Sequence, residues 1–268
     1  MVARRVLKYL RRDAAPSPST AVEFAGNYAS WADALRRSTG YGDPVILERT
    51  CASLLRVRRG EPVFERDSVL FDTPQHSFPV LAALLRAAAI EAGRLSVADV
   101  GGSLGSSYFQ CRQFLQAVST VEWAVIEQPA YVRRGREHFE NGELSFHETI
   151  DECATRCRPN VLLMSGVLQY LPDPYVSLGQ LLSARIRNVI VDRTAFLAGD
   201  RDRLTVQTVP EWIYPATYPA WFLSETKFAG MFAAAGYALV ADFDGADKVS
   251  LPDEPSYFKG FIFERAEP

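Results

Sequence analysis

The sequence predicts an α/β protein built on a mostly parallel sheet. Three observations carry this. Short apolar runs alternate with helical stretches from residue 95 onward. A loop rich in Gly and Ser follows the first of those runs. The length of 268 residues suits one large domain, or one core domain with an appendage.

Taken in order, residues 1–20 mix Arg4, Arg5, Lys8, Arg11 and Arg12 with Val6, Leu7, Tyr9 and Leu10, then become Pro/Ser-rich. They read as a basic tail and linker, with two outcomes open: peripheral contact with an anionic membrane, or a tail packed on the body. No uninterrupted apolar core marks a secretory signal. Residues 21–92 read as a helical N-terminal cap. Ser30 caps a helix whose Trp31, Ala34 and Leu35 share a face, and Gly40 stops it. Residues 44–55 suggest a second helix. A third covers 79–92, with Leu81, Leu84, Leu85 and Ala88 at helical spacing and Gly93 ending it.

Beyond the cap, 95–100, 123–126, 161–164 and 189–191 read as buried strands, with helices expected at 108–118, 130–139 and 176–187. That alternation implies a parallel sheet with helices on both faces. A helix at 227–235 closes at Gly236. Two strands, 237–243 and 257–264, are expected to pair antiparallel across a short loop.

Hydrophobic residues make up 48% and charged residues 23%, which excludes a disordered chain. The longest apolar stretch, 80–90, is interrupted by Arg86 and is too short for a bilayer, which takes about 20 residues. The net charge of −3 argues against a dedicated nucleic-acid binder. Four cysteines without framework spacing read as reduced thiols, so a cytoplasmic location is expected. Cys153 and Cys157 sit one helical turn apart, but with His147 as the nearest imidazole no metal is expected.

The chemistry is expected on the loop Asp99-Val100-Gly101-Gly102-Ser103-Leu104-Gly105-Ser106-Ser107, at the carboxyl end of the first parallel strand, where open α/β sheets bind ligands. Ser103 and Ser106 break the G-x-G-x-x-G spacing of a dinucleotide loop. Asp99 would repel a pyrophosphate and attract an ammonium or sulfonium group. Glu127, at the end of the second strand, can accept two ribose hydroxyls, or can simply be a solvated strand end.

This D-x-G-x-S-x-G arrangement resembles the nucleotide loop of class I S-adenosylmethionine-dependent methyltransferases. The stretch from Val161 to Pro174, with Ser165-Gly166 and Leu171-Pro172-Asp173-Pro174, resembles the same family's fourth-strand block. The resemblance covers about residues 93–268. It implies a seven-stranded Rossmann-like sheet, mostly parallel with an antiparallel last hairpin, and S-adenosylmethionine as cofactor. It places Asp99, Gly101, Gly102, Ser103, Gly105, Glu127, Gln128, Ser165 and Gly166 around that cofactor. A narrower likeness takes in Trp31 to Leu35, Glu65-Arg66-Asp67-Ser68, the loop, Glu127-Gln128, Leu168 to Leu171 and Asp192-Arg193-Thr194. It is similar to a largely uncharacterised group of bacterial methyltransferases associated with surface-polysaccharide and natural-product gene clusters.

The expected reaction is methyl transfer, on oxygen, to a small molecule or saccharide in a biosynthetic pathway. A nicotinamide-dependent oxidoreductase and a non-catalytic cofactor-binding protein are the alternatives. The expected partners are a small-molecule acceptor and, as one assembly, a second copy of the chain. The general base is sought among Asp192 and His76, with His147 and Tyr170 behind them. Asp192 can instead pair with Arg193, and His76 can be a surface histidine. Arg66, Gln169, Tyr170, Arg193 and Tyr214 are the candidate acceptor contacts. Arg66 and Arg193 would suit an acidic acceptor; Arg66 can equally pin the cap to the core. Residues 193–223, rich in aromatics and proline, read as a lid or pocket wall, or as packing that ties this segment to the cap.

Overall fold

The structure is a computed structural model and describes residues 22–40, 44–61, 64–73, 75–245, 247 and 251–265. The basic tail, and with it any membrane contact, lies outside the described residues. Among the described residues no helix is long and apolar enough to cross a membrane.

The parallel half of the sheet comprises β4 (Arg94–Val100), β5 (Thr120–Ile126), β6 (Leu144–His147), β7 (Val161–Ser165) and β8 (Asn188–Leu197). Their order is β6-β5-β4-β7-β8, all parallel. The sheet is completed by β11 (Tyr237–Asp244) and β12 (Ser256–Arg265). β12 inserts antiparallel between β8 and β11. The segment joining these last strands carries Asp247, Asp253 and Glu254, which bind arginines elsewhere.

Successive strand residues point to opposite faces, and the apolar runs are apolar on both. Leu95 and Val97 of β4, with Val161 and Leu163 of β7, pack beneath α2 (Pro44–Arg58), α3 (Phe78–Ile90), α4 (Ser106–Cys111) and α5 (Pro129–His138). Ala98, Leu162 and Met164 pack on the other face, against α6 (Ile150–Cys157), α7 (Pro174–Ser183) and α8 (Glu225–Ala234). Side-chain caps start the helices. Ser30 accepts from Asp33 N at the head of α1 (Trp31–Leu35), Thr149 from Glu152 N, Asp173 from Val176 N and Ser224 from Lys227 N.

Three departures from the sequence reading have physical causes. The cap is mixed rather than purely helical. Besides α1, α2 and α3 it holds β1 (Glu23–Ala25) and a hairpin of β2 (Phe64–Arg66) and β3 (Val69–Phe71). Asp67 and Ser68 turn that hairpin with φ of 53° and 68°, a left-handed pair without the usual glycine. Second, α4 ends at Cys111, because the next bonds tighten to single turns (Phe114 N to Cys111 O, 2.9 Å; Leu115 N to Arg112 O, 3.2 Å). Third, residues 193–223 are not a loop. They finish β8 and build β9 (Arg203–Val209) and most of β10 (Ala216–Ser224), an antiparallel pair to which β1 adds an edge. Phe196 lies in the main core against Phe228 and Phe261, while Trp221, Leu204 and Val206 pack on Ala34 of α1 and Tyr214 and Tyr218 on Ile46 of α2. The segment is thus both pocket wall and fastening to the cap.

Candidate functional site

A cavity of about 700 Å³ opens at the carboxyl ends of β4, β7 and β8. Its floor is Gly101, Gly102 and Ser103 after β4, Ser165 and Gly166 after β7, and Asp192 and Arg193 on β8. The hairpin β2–β3 and the start of α3 close one side, and β9–β10 the other.

The loop geometry explains its residues. Gly101 has φ of 70°, and a Cβ there would run into Val167. At Gly102 a Cβ would lie 2.5 Å from the Asp99 carboxyl, so the loop folds directly over that acid. Asp99 is buried on the face shared by Leu95 and Val97. One oxygen accepts from Trp123 Nε1 at 3.0 Å and the other has no partner. Burial pushes its carboxyl up to about 7. It therefore lies beneath the loop rather than on the cavity wall. Glu127 stands beside Ser103: its carboxylate accepts from Gln128 N at 2.7 Å and from the Ser103 backbone, while burial and nearby Asp99 push it up to about 7. Gly105, with φ of 95°, starts α4 against Leu144. Glu127, Gln128 and Gly105 border the loop outside the main cavity.

At the other end, Asp192 sits opposite Ser165 in the β7–β8 register, and its carbonyl accepts from Gly166 N at 3.0 Å. The Asp192 side chain is buried, accepts from Arg193 N at 2.9 Å, and has Ser77 as a further donor. Burial holds its carboxyl above the usual range. The alternative of an Asp192–Arg193 side-chain pair is not seen; the contact between them is from Arg193 N. Arg193 is gripped instead by Asp67 (Nη2 to Oδ2, 2.5 Å) and Asp247 (Nε to Oδ2, 2.9 Å), across three parts of the chain. With its N–H donors committed to Asp67 and Asp247, Arg193 is already paired within the chain, and of the two arginines behind the expectation of an acidic acceptor Arg66 remains. Arg66 lies over the Phe71 ring, 5.4 Å from its centroid.

Tyr170 and Tyr214 meet on the β9–β10 wall. Tyr170 Oη donates to Gln207 Oε1 at 2.8 Å; Gln207 Nε2 donates to Tyr218 Oη at 3.2 Å; Tyr214 and Tyr218 hydroxyls lie 3.3 Å apart. Burial holds both Tyr170 and Tyr214 above the usual tyrosine range, so Tyr170 serves as a hydrogen-bonding group rather than a base. Gln169 is buried; its amide donates to Arg193 O at 2.9 Å and its Oε1 has no partner. His76 stands edge-on to Phe64 and Phe114 (centroids 5.5 and 4.9 Å) with Nε2 3.1 Å from Gln113 and Nδ1 buried without a partner. It lines the cavity from the cap. His147 is not in the cavity: it ends β6, buried against Ser145, Glu152 and Cys157. Burial lowers its imidazole below the usual value.

Glu65 lines the cavity although it enters the sequence reading only within a likeness, with no site role. Glu65 of β2 is 2% exposed, and one carboxylate oxygen has no partner. The available signal was an acid inside the short alternating run Phe64-Glu65-Arg66, where an apolar residue would serve packing better.

The strand order β6-β5-β4-β7-β8-β12-β11, with only β12 antiparallel, decides the architecture. This is the class I methyltransferase fold. No family model and no curated protein matches the chain. Solved class I methyltransferases are similar to it. The N-terminal domain of EvdMO1, solved with S-adenosylhomocysteine and D-fucose, is 15% identical with a TM-score of 0.46, over 80% of this chain and 95% of that one. Magnesium protoporphyrin IX methyltransferase from Synechocystis, with S-adenosylmethionine bound, is 11% identical with a TM-score of 0.45, over 83% and 96%. An amino pentose methyltransferase from Micromonospora echinaspora, involved in calicheamicin biosynthesis, is 13% identical with a TM-score of 0.43, over 69% and 90%.

Proposed function

We propose that this chain is an S-adenosylmethionine-dependent methyltransferase that methylates an oxygen of a small molecule or saccharide in a biosynthetic pathway. One observation carries the reading. Glu127 and the Gly101–Gly102 bend flank Ser103 at one end of the loop, and the same loop opens on a cavity whose far side holds Asp192. The residues fit the cofactor. Glycines let the loop fold tightly against Val167 and over Asp99, and Glu127 presents acceptors for two hydroxyls. On the cavity wall, a buried oxygen of Glu65 lacks a hydrogen-bond partner. When bound, S-adenosylmethionine supplies a methyl group made electrophilic by its sulfonium.

The chain's own residues do the rest. Ser165 and Gly166 border the cavity floor beside Asp192 and keep it open, since Gly166 brings no side chain. Asp192, held above the usual carboxylate range, takes the proton of the acceptor hydroxyl as it is methylated. The hydroxyl chain of Tyr170, Gln207, Tyr218 and Tyr214 orients a polar acceptor, and the aromatic wall excludes water. The cap of residues 21–92 and the lid strands of 193–223 work as the acceptor side, and the rest of 93–268 as the cofactor side.

Calorimetric titration tests this. S-adenosylhomocysteine should bind the purified chain, and Asp99→Ala and Glu127→Ala should each weaken it at least tenfold. NADH should not bind. Binding of NADH alone would transfer the site to oxidoreductase chemistry.

A further inference from the structure

Glu65 is a carboxylate in the wrong place for packing. It belongs to the cap hairpin, yet it is 2% exposed and lines the cavity. Its Oε1 accepts from Ser68 N at 2.8 Å, which fixes the turn at Asp67-Ser68. Its Oε2 has no hydrogen-bond partner. The Ser106 hydroxyl is its neighbour across the cavity edge. The nearest guanidinium, that of Arg193, is already committed to Asp67 and Asp247. A buried carboxylate without a cation or a full set of donors is costly, so such groups mark places where a ligand supplies the missing charge. Burial accordingly pushes this acid up to about 7.

Its position says which ligand. Glu65 is anchored to α4, the helix that starts where the Gly101–Gly105 loop ends: Gln110 Nε2 donates to the Glu65 carbonyl at 2.7 Å, and Ser106 begins the helix. Asp192 stands on β8, and the chain of Tyr170, Gln207, Tyr218 and Tyr214 lies along the β9–β10 side of the cavity. Glu65 is thus tied to the helix that the loop starts, with Ser106 beside its carboxylate, on the side where the amino-acid half of the cofactor lies in the reading proposed above. An ammonium, compact and carrying three donors, is the complement of one open carboxylate oxygen beside a hydroxyl.

Resting on that reading of the cofactor, we infer that Glu65 binds the α-ammonium of the bound S-adenosyl cofactor, so that the cap contributes a residue to the cofactor site. Loop and cap then hold the ligand together: Glu127 takes the ribose and Glu65 the ammonium.

The test compares S-adenosylhomocysteine with its analogue carrying hydrogen in place of the α-amino group, by calorimetric Kd. On the wild-type chain S-adenosylhomocysteine should bind at least tenfold tighter than the analogue. Glu65→Gln keeps an acceptor for Ser68 N and the side-chain shape. It should weaken S-adenosylhomocysteine by about 10- to 100-fold, leave the analogue within threefold, and bring the ratio of the two near one. Glu65→Asp, which keeps the charge but withdraws it, should give an intermediate ratio, and serves if Glu65→Gln does not fold. A ratio unchanged from wild type in either folded variant overturns the assignment of Glu65, as does equal weakening of both ligands, the mark of a residue that only props the hairpin. Failure of the wild-type chain to bind S-adenosylhomocysteine at all overturns the cofactor reading instead, and Glu65 with it.

Discussion

In the function proposed, two acids, Glu127 half-buried and Asp192 buried, divide the work by different means. Glu127 works by accepting, so its neighbours are backbone donors, Gln128 N and Ser103 N. Asp192 has to take a proton, and its surroundings raise its affinity for one. Replacing Asp192 by Asn removes the base but keeps an oxygen for the Arg193 and Ser77 donors. Turnover with the acceptor should fall by about 10²–10⁴-fold, while S-adenosylhomocysteine affinity stays within threefold. A parallel loss of ligand affinity would make Asp192 part of the binding surface rather than the base. The residues of this site were unequally legible. Asp99, the glycines and Glu127 stand at strand ends, and strand ends are visible as the close of an apolar run. Glu65 and Asp247 act through partners remote in the chain, and no local pattern shows a contact between residues 67, 193 and 247.

At the scale of elements, β4, β5, β7 and β8 were legible from their apolar runs, whereas β6, whose Ser145 and His147 alternate with Leu144 and Phe146, offers no such run. The β9–β10 pair was not legible either. Its inward face carries Arg203, Thr205 and Gln207, buried because they serve ion pairs and the hydroxyl chain, so no clean alternation survives. Pro219 inside β10 lacks an N–H and reads as loop; it is tolerated opposite Val206. The cap hairpin is fastened to β8 and to the β11–β12 loop by the clamp on Arg193. The clamp is lopsided: the Asp67 side chain is 55% exposed and that of Asp247 20%, against 21% for Arg193. Arg193→Ala leaves two acids facing each other and should cost about 3 kcal/mol. Asp67→Ala leaves Asp247 still paired and should cost about 1 kcal/mol or less. Urea unfolding with unchanged m values would read both; equal costs would refute the picture of a shared buried cation.

For the whole molecule, the buried acids set a pH dependence. Glu65, Asp99 and Glu127 are pushed up to about 7 in the folded chain, from ordinary values near 4 when unfolded. Between those values the folded state binds more protons, so their contribution is full below about pH 4 and is lost as pH rises through about 7. Asp192, also raised, adds to the same trend, while His147, lowered by burial, acts with the opposite sign around its own range. The paired carboxylates held below their usual values, such as Asp202 and Glu264, change only in more acid solution. The ligand-free chain should therefore melt several degrees lower at pH 8 than at pH 5.5, and calorimetry on Asp99→Asn should find a shallower slope. A Tm that rises over that interval would mean these acids are ionised in the folded state.

The place of β12 inside the sheet has a consequence for how the protein is made. Its partners β8 and β11 both precede it, and Phe261 and Phe263 seal the core that Phe228 and Phe232 begin. While the chain leaves the ribosome, the flank of β8 stays an open, sticky edge until residues 256–265 emerge. The same stretch follows directly on the segment that brings Asp247 to Arg193, so the floor of the cavity and its clamp are finished together, late in synthesis. A nascent chain stalled before β12 would present to chaperones an apolar edge that the mature protein never shows.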